Sequence, residues 1–426
     1  MRRLCIAVAI LSCAAASGFA VEPPPPPQGP PPYETSCFTC HSELQMAPTE
    51  NAREDIHFEH GLSCHDCHGG NPLAGADGDM DAAHDPAHRF RGRPSRQQVP
   101  QFCAACHADA TYMKKFNPTA RVDQLSEYET SQHGRRHAAG DMKTAVCTDC
   151  HGVHGIRANK DPRSPVYPTR VADTCARCHN DQGLMGQYGL TTGQVADYRR
   201  SVHAAALYDD GDTFAPTCND CHGSHGAVPP GVNSVANVCG TCHGREGSLF
   251  RETAMGRTAT LDTAIQCTIC HSNHAVLPPT DDMLGVHDGA TCSGCHQEGD
   301  KGYQTADRMK RTIVELTNGL GEARELLERA ERAGVEVGPD KFELQKAQDA
   351  LIESKVLIHS FDLERFLQVA EEGVAVAKAG IAAGHGAFEE IRFRRAGLGF
   401  SLIVIVAVIG ALLLKIRAIE RGGDAR

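Results

Sequence analysis

The chain has 426 residues, among them 20 cysteines and 23 histidines but no tryptophan, and only 5% of its residues are aromatic. So few large rings cannot fill the interior of a protein of this size, and some other group must supply buried apolar surface. The formal net charge of −11 is unsuited to nucleic acid, and we predict no nucleic-acid partner.

Residues 1–20 have the form of a secretory signal. Arg2 and Arg3 precede an apolar run that ends in small residues at Gly18 and Ala20, as in signal peptides that are removed on export. An uncleaved N-terminal anchor is the alternative, and Cys13 leaves a lipoprotein interpretation open. In each case the bulk of the chain is exported. Residues 21–32 are rich in proline and predict an extended spacer.

The other 18 cysteines all belong to nine copies of C-x-x-C-H, numbered here motifs 1 to 9 in chain order. Their cysteines are Cys37, Cys40, Cys64, Cys67, Cys103, Cys106, Cys147, Cys150, Cys175, Cys178, Cys218, Cys221, Cys239, Cys242, Cys267, Cys270, Cys292 and Cys295. The histidines that close them are His41, His68, His107, His151, His179, His222, His243, His271 and His296.

This spacing is typical of covalent haem attachment. Two thiols add to the two vinyl groups on one edge of the porphyrin, and the adjacent histidine ligates the iron as the proximal ligand. Structural zinc and disulfides are the alternatives, but neither needs a histidine after every cysteine pair. We therefore predict nine c-type haems, with iron, in a domain of residues 33–299 whose interior consists largely of the macrocycles.

Each of the nine predicted irons has a second axial position, and 14 histidines remain as candidates for these nine positions. Motifs 4, 6 and 8 continue as C-x-x-C-H-x-x-H, which adds His154, His225 and His274. Each of these is too close along the chain to cap its own haem. We predict that each caps a neighbouring haem as a distal ligand.

A second repeat precedes the same three motifs: an aromatic residue, a hydroxyl residue and then a ligand. The copies are Tyr128, Ser131 and His133; Tyr198, Ser201 and His203; and Phe250, Thr253 and Met255. We predict His133 and His203 as distal ligands, and Met255 as the candidate for one His/Met haem of raised potential. A gap-filling core methionine is the alternative.

The remaining distal candidates are His57, His60, His65, His84 and His88, between motifs 1 and 3, and His359 and His385 in the C-terminal third. His137 and His287 fit a solvated histidine as readily as a ligand.

After Gly299 the composition changes, and residues 300–395 predict an antiparallel helical hairpin. An apolar seam at helical spacing runs from Ile313 to Ala330 and ends at Gly334; a second helix begins near Asp340 and carries a seam from Leu344 to Phe361. Further glycines, Gly373, Gly380, Gly384 and Gly386, predict kinks.

Residues 396–414 carry no charge and are long enough to span a bilayer. Arginines before this stretch and Lys415 and Arg417 after it frame an anchor, with residues 415–426 as a cytoplasmic tail. A buried helix of a soluble protein is the alternative. We expect the anchor to hold an entry or exit haem near the membrane.

With these motifs, residues 37–296 resemble the bacterial multihaem c-type cytochromes, in particular the group with doubled C-x-x-C-H motifs. The resemblance implies a mainly α fold with extensive loops and an electron carrier between the quinone pool and a periplasmic or extracellular acceptor. Its partners would be the membrane and other electron-transfer proteins or quinone-linked subunits. The chain lacks the C-x-x-C-K variant of pentahaem nitrite reductases, and Met255 in a histidine position departs from the pattern.

We therefore predict an exported nonahaem cytochrome, anchored in the bacterial inner membrane with its haems in the periplasm, that relays electrons and has no catalytic residue. The alternative is a multihaem oxidoreductase with one open haem that reduces or oxidises a small nitrogen or sulfur compound. A protein that uses its hairpin to assemble partner subunits is a third reading.

Overall fold

The computed structural model describes residues 31–74, 79–227, 235–257 and 266–423. The predicted signal peptide and nearly all of the proline-rich spacer lie outside these residues. The described part is helical and contains no β-strand, which confirms the mainly α prediction there. The chain divides into two compact units, the first of Met1–Val195 with Gly211–Pro229 and the second of Ala196–Asp210 with Pro230–Arg426.

Short helices joined by loops build the region that contains the nine motifs. The α-helices up to motif 5 are Ser36–Glu43, Ala47–Ala52, Ile56–Glu59, Cys64–His68, Met80–Ala83, Val99–His107, Ala110–Met113, Gln124–Thr130, Gln132–Ala138, Cys147–His151 and Pro168–His179. Those that follow are Gln182–Gly186, Gln194–Tyr198, Val202–Tyr208, Cys218–His222, Val235–Cys242, Gly244–Glu252, Ala254–Arg257 and Cys267–His271. Single 3₁₀ turns occur at Pro32–Glu34, Pro86–His88, Arg96–Gln98, Asp281–Met283 and Cys292–Gly294.

Motifs 2, 4 and 6 share the local sequence C-x-D-C-H-G, which specifies a capped single helical turn. In motif 4 the carboxylate of Asp149 accepts a hydrogen bond of 2.7 Å from the backbone N–H of Val146, just before the helix Cys147–His151. The carboxylate also complements the positive end of the helix dipole. Gly152, at φ +83°, then ends the helix in a conformation that other residues rarely adopt. The turn presents both cysteines and the histidine within five residues.

Three long helices follow motif 9 in the second unit: Lys301–Arg332, Gly338–Leu357 and Leu363–Gly423, with a 3₁₀ turn at Ile358–Ser360. The seam residues of the first long helix, Ile313 to Ala330, are buried, as are Leu344, Ala347, Leu351 and Ser354 of the second. The second helix begins at Gly338, two residues before the predicted start, because Pro339 is readily accommodated in a first turn.

The third long helix continues without interruption through the glycines at which we predicted kinks. Three of these glycines, Gly373, Gly380 and Gly384, instead allow close packing, whereas Gly386 has nothing within 4 Å of an added Cβ atom. A Cβ atom added to Gly373 would lie 2.7 Å from the Cβ of Ala350, and one added to Gly384 would lie 2.6 Å from the Cβ of Leu326. The first and third helices are parallel, since Arg308 pairs with Glu371 and, further along both helices, Arg329 lies over the ring of Phe388.

Packing of the third long helix ends well before the helix does. Ala387 and Ile391 are its last buried residues, whereas Phe393 is 81% exposed and the apolar side chains from Leu398 to Ile419 are exposed as well. Within the described residues, this is the one helix long and apolar enough to cross a membrane, with a mean hydropathy of 2.8 over a window that is 0% buried.

Candidate haem centres

Seven proximal histidines each face a second histidine across a similar gap. The distances between ring centroids are 6.1 Å for His41 and His84, 5.9 Å for His107 and His57, 6.2 Å for His68 and His154, and 6.1 Å for His151 and His225. They are 6.2 Å for His179 and His133, 6.4 Å for His243 and His203, and 6.0 Å for His271 and His359. Each pair lies within one of the two units.

These distances fit two imidazoles bound to opposite sides of one metal ion. With metal–nitrogen bonds of about 2.0 Å, the ring centroids of such a pair lie roughly 6.2 Å apart. Direct ring stacking would bring the planes closer, whereas unrelated histidines would show a wide spread of distances. The donor set therefore fits a haem iron with two histidine ligands at these seven motifs.

The distal histidines follow two registers along the chain. His154 comes from motif 4 and faces motif 2, and His225 comes from motif 6 and faces motif 4. In contrast, His133 precedes motif 4 and faces motif 5, and His203 precedes motif 6 and faces motif 7. The first register reaches two motifs back, and the second reaches forward.

Backbone hydrogen bonds join these two registers. Gln132, next to His133, donates its N–H to the carbonyl of Ala227, two residues beyond His225, at 3.0 Å. Ile56, next to His57, likewise donates to Ile156, two residues beyond His154, at 2.7 Å. In each case a single backbone hydrogen bond holds together the segment with a histidine of the first register and the segment with a histidine of the second.

Hydrogen bonds at Nδ1 orient several of the rings. The Nδ1 of His68 lies 2.8 Å from the carbonyl oxygen of Gly92, that of His84 lies 2.9 Å from the carbonyl of Met80, and that of His359 lies 3.0 Å from the carbonyl of Val356. Such a bond fixes the tautomer in which Nε2 carries the lone pair for the metal.

Asp55 has this role for His57 and was missed by the sequence reasoning. Its buried carboxylate accepts bonds from Nδ1 of His57 at 2.8 Å and from the backbone N–H groups of Gly155 and Ile156 at 2.8 and 2.9 Å. Burial would raise the pKa of this carboxyl, but the bonds from His57 and Ile156 outweigh it and lower the pKa. The signal in the sequence is the position of Asp55, two residues before a distal ligand, where Ser131 and Ser201 stand in the later copies.

Burial lowers the pKa of several of the paired imidazoles. Burial, followed by the charge of His179, lowers the pKa of His133, and burial, followed by His225, lowers the pKa of His151. Only a neutral imidazole has a free lone pair for iron, so burial favours the form that binds metal.

Consecutive motifs are neighbours within each unit. The first cysteines of motifs 3 and 4, Cys103 and Cys147, lie side by side, as do those of motifs 5 and 6, Cys175 and Cys218. In the second unit, Cys239 of motif 7 lies beside Cys267 of motif 8 in the same way. The first cysteines of motifs 1 and 2, Cys37 and Cys64, also lie within electrostatic range of each other.

The second cysteine of a motif lies near a cysteine of the next motif and shows which of these pairs of motifs are neighbours. Burial, followed by Cys106 of motif 3, raises the pKa of Cys67 of motif 2 to about 11. Cys150 of motif 4 lies within electrostatic range of Cys178 of motif 5, and Cys270 of motif 8 within range of Cys292 of motif 9. The order of the motifs in space therefore follows the sequence from motif 1 to 6 in the first unit and from 7 to 9 in the second.

Other histidines have different surroundings. His60 lies edge-on to Phe116, the Nε2 of His65 lies 3.7 Å from Asp66, and the exposed His88 bonds Asp85. His137 is buried, and its Nε2 lies 3.2 Å from the carbonyl of Arg96. His287 is exposed and bonds the carbonyl of Asp288, and His385 lies on the exposed face of the third long helix. His274 lies in the second unit with a backbone φ of +52°.

Residues 212–297 match the family model for cytochrome c3. The match covers motifs 6 to 9 and 86 of the 426 residues. It supports a multihaem c-type cytochrome with covalently bound haem, and hence an electron-transfer protein. No curated protein and no solved structure matches the chain.

Proposed function

We propose that the chain is a membrane-anchored periplasmic cytochrome that binds nine c-type haems and relays electrons along them. The observation that carries the proposal is the set of seven facing histidine pairs with ring centroids 5.9 to 6.4 Å apart. When bound, a c-type haem supplies reversible one-electron chemistry at its iron. The protein's part at these seven motifs would be to hold a pair of oriented imidazoles on either side of the iron.

Filled axial positions favour electron relay over chemistry on a substrate, because an iron with two histidine ligands has no open position for a small molecule. The order of the motifs supports a relay that follows the sequence within each unit. Adjacent motifs touch through their first cysteines or lie close through their second cysteines, so neighbouring haems would be in near contact. The oxidoreductase alternative requires an iron without a second protein ligand.

The position of the long helices supports a partner protein, and not the membrane itself, as the source or acceptor of the electrons at motifs 8 and 9. Motif 9 lies directly before the first long helix, and His359, opposite His271 of motif 8, lies directly before the third. The third helix reaches Ala396 after 33 steps from Leu363, a rise of about 50 Å at 1.5 Å per residue. With residues 396–414 in the bilayer, these two haems would stand far above it.

The proposal is tested by the haem content and spin state of the purified membrane form. We expect nine haems per chain by mass and pyridine haemochrome assay, with every iron reducible and low-spin by EPR and resonance Raman spectroscopy. Fewer attached haems would contradict the count. A high-spin iron that binds carbon monoxide or nitrite in the untreated protein would favour the oxidoreductase instead.

A further inference from the structure

We propose that Met255 and His296 are the two axial ligands at motif 9, which makes this the His/Met site of the relay. The inference rests on the proposed function, because it requires a haem at motif 9. It goes beyond the sequence prediction, which assigned Met255 to no particular motif.

The local structure around Met255 is the same as that around three distal histidines. Each of these four residues is the second residue of a short helix: His57 in Ile56–Glu59, His133 in Gln132–Ala138, His203 in Val202–Tyr208 and Met255 in Ala254–Arg257. Each therefore leaves its helix in the same direction relative to the first turn.

A side-chain cap holds each of the four helix starts, and in three of them the hydrogen bond is the same. Two residues before the ligand position, a side-chain oxygen caps the helix: that of Ser131 accepts from Gly134 N–H at 2.8 Å, and that of Ser201 from Ala204 N–H at 3.1 Å. That of Thr253 accepts from Gly256 N–H at 2.9 Å. Asp55 caps the first copy through the N–H of His57 at 2.9 Å.

A second hydrogen bond at the helix start also recurs at Met255. The backbone N–H of Ser131 donates to the carbonyl of Tyr128 at 2.9 Å, and that of Thr253 donates to the carbonyl of Phe250 at 3.0 Å. The structure thus keeps the backbone of a distal-ligand position at Met255, although the side chain has changed from imidazole to thioether. A methionine that only filled a gap would not need this cap.

The register then identifies the motif that Met255 serves. His57 lies between motifs 1 and 2 and faces motif 3, His133 lies between 3 and 4 and faces 5, and His203 lies between 5 and 6 and faces 7. Met255 lies between motifs 7 and 8. In each case the residue faces the motif that follows the two between which it lies. For Met255 this is motif 9, whose proximal histidine, His296, is in the same unit as Met255.

His296 has the surroundings of a metal-binding histidine. Its Nδ1 lies 3.2 Å from the carboxylate of Asp300, the contact that fixes the tautomer with a lone pair on Nε2. The ring packs against Gly302 so closely that a Cβ atom at this position would lie 2.1 Å from it. The first turn of the first long helix thus orients the proximal ligand.

Replacing a distal imidazole with a thioether raises the potential of a haem, because sulfur stabilises the reduced iron. Motif 9 is also the end of the neighbour order in the second unit. Electrons that enter at motifs 7 and 8 would therefore collect at motif 9, directly before the first long helix.

Spectroscopy of the full-length, haem-loaded protein tests the ligand. We expect the oxidised wild-type protein to show the weak far-red sulfur-to-iron charge-transfer band, detected by magnetic circular dichroism. Met255→His should abolish the band and lower one of the nine potentials in a redox titration, with the other eight unchanged. Met255→Ala should abolish it and leave one iron high-spin. His287→Ala is the matched control, since this exposed residue near motif 9 should leave the band and all spin states unchanged.

The position of the site is tested by removing single haems. The pair Cys292→Ala and Cys295→Ala should remove one haem by mass and abolish the band, whereas Cys37→Ala and Cys40→Ala should remove one haem and keep it. A band that survives loss of the ninth haem would overturn the assignment to motif 9. A wild-type protein with nine reducible haems but no band would overturn the ligand and leave the relay intact; loss of haem from all motifs would instead refute the proposed function itself.

Discussion

In residues 301–391 buried side chains such as Ile313, Leu327 and Phe366 recur at helical spacing along helices of 20 residues or more. In residues 36–296 the α-helices have 4 to 12 residues, and the main buried cluster takes only Leu249 and Leu284 from this region within the described part of the chain. Helices this short are not stable alone. The first region therefore has an apolar core built from its own side chains, whereas in the second region the histidine pairs lie among short helices and loops. We expect the stability of the second region to depend on bound haem.

The largest test of this difference is to make the full chain in a host that cannot attach haem. We expect trypsin to digest residues 31–296 rapidly, because the loops and short helices lack the macrocycles that would fill the interior. A fragment containing residues 301–391 should persist, and circular dichroism should retain its helical signal. The control is the same chain from a host that attaches haem. Equal protease resistance of the two forms throughout residues 31–296 would contradict the comparison.

A second test separates the packed part of the third long helix from its exposed end. A chain that stops after Ile391, the last buried residue, should leave the membrane fraction and become soluble, because it loses the whole apolar window. Its haem content and its thermal unfolding temperature should match those of the full chain. A truncated protein that still sediments with membranes would show that another part of the chain binds lipid.

A third test concerns one histidine pair. His154→Ala should leave one iron high-spin and open to carbon monoxide, because His154 faces His68 at 6.2 Å between ring centroids. His88→Ala is the matched control, since His88 is exposed and bonds Asp85. The measurement is the fraction of high-spin haem by EPR. A protein that stays fully low-spin without His154 would show that another group caps motif 2.

The change of composition after Gly299 predicted where the short helices give way to long ones, at Lys301. The predicted domain of residues 33–299 stays a prediction, and the compact units divide the chain differently, since residues from Pro230 onward belong with the long helices. C-x-x-C-H motifs and helical seams are local patterns, so they could be read along the chain. Which histidine faces which could not be predicted, because His84 and His41 are 43 residues apart and no local pattern joins them. The ligand roles themselves stay predictions until the spectroscopic tests are made.

The glycines of the third long helix show a different limit. A glycine within a helix, considered alone, predicts a kink. Yet Gly373 lies against Leu316 of the first long helix and Ala350 of the second, and Gly384 lies against Leu326 of the first. The pattern of small residues was visible, but the surface against which it packs depends on tertiary structure. Likewise, the two apolar seams predicted the first and second long helices. The third helix, which packs on both, was predicted only over its apolar stretch at residues 396–414.

This packing predicts a moderate loss of stability. Gly373→Leu should destabilise the long helices by about 1–3 kcal/mol, because the new side chain must displace Ala350 and Leu316 from a packed core. Gly386→Leu is the matched control on the same helix, since nothing lies within 4 Å of a Cβ atom there. Thermal unfolding followed by circular dichroism measures both. An equal effect of the two substitutions would contradict close packing at Gly373.

The smallest expected effect concerns Asp55, whose carboxylate orients the ring of His57. Its carboxylate accepts from Nδ1 of His57 at 2.8 Å, which makes the imidazole a stronger donor and favours the oxidised iron. Asp55→Asn removes this negative charge, so one of the nine potentials should rise, by about 60 mV for a tenfold change in a one-electron couple.

Asp85→Asn provides the matched control, because Asp85 bonds the exposed His88, which faces solvent. A redox titration of each variant with nine haems measures the shift. If both variants titrate like the wild type, Asp55 serves only to tie the backbone of Gly155 and Ile156 to the start of the helix Ile56–Glu59. If only Asp55→Asn shifts a potential, the side chains of the haem-motif region control the chemistry of the cofactor as well as its position.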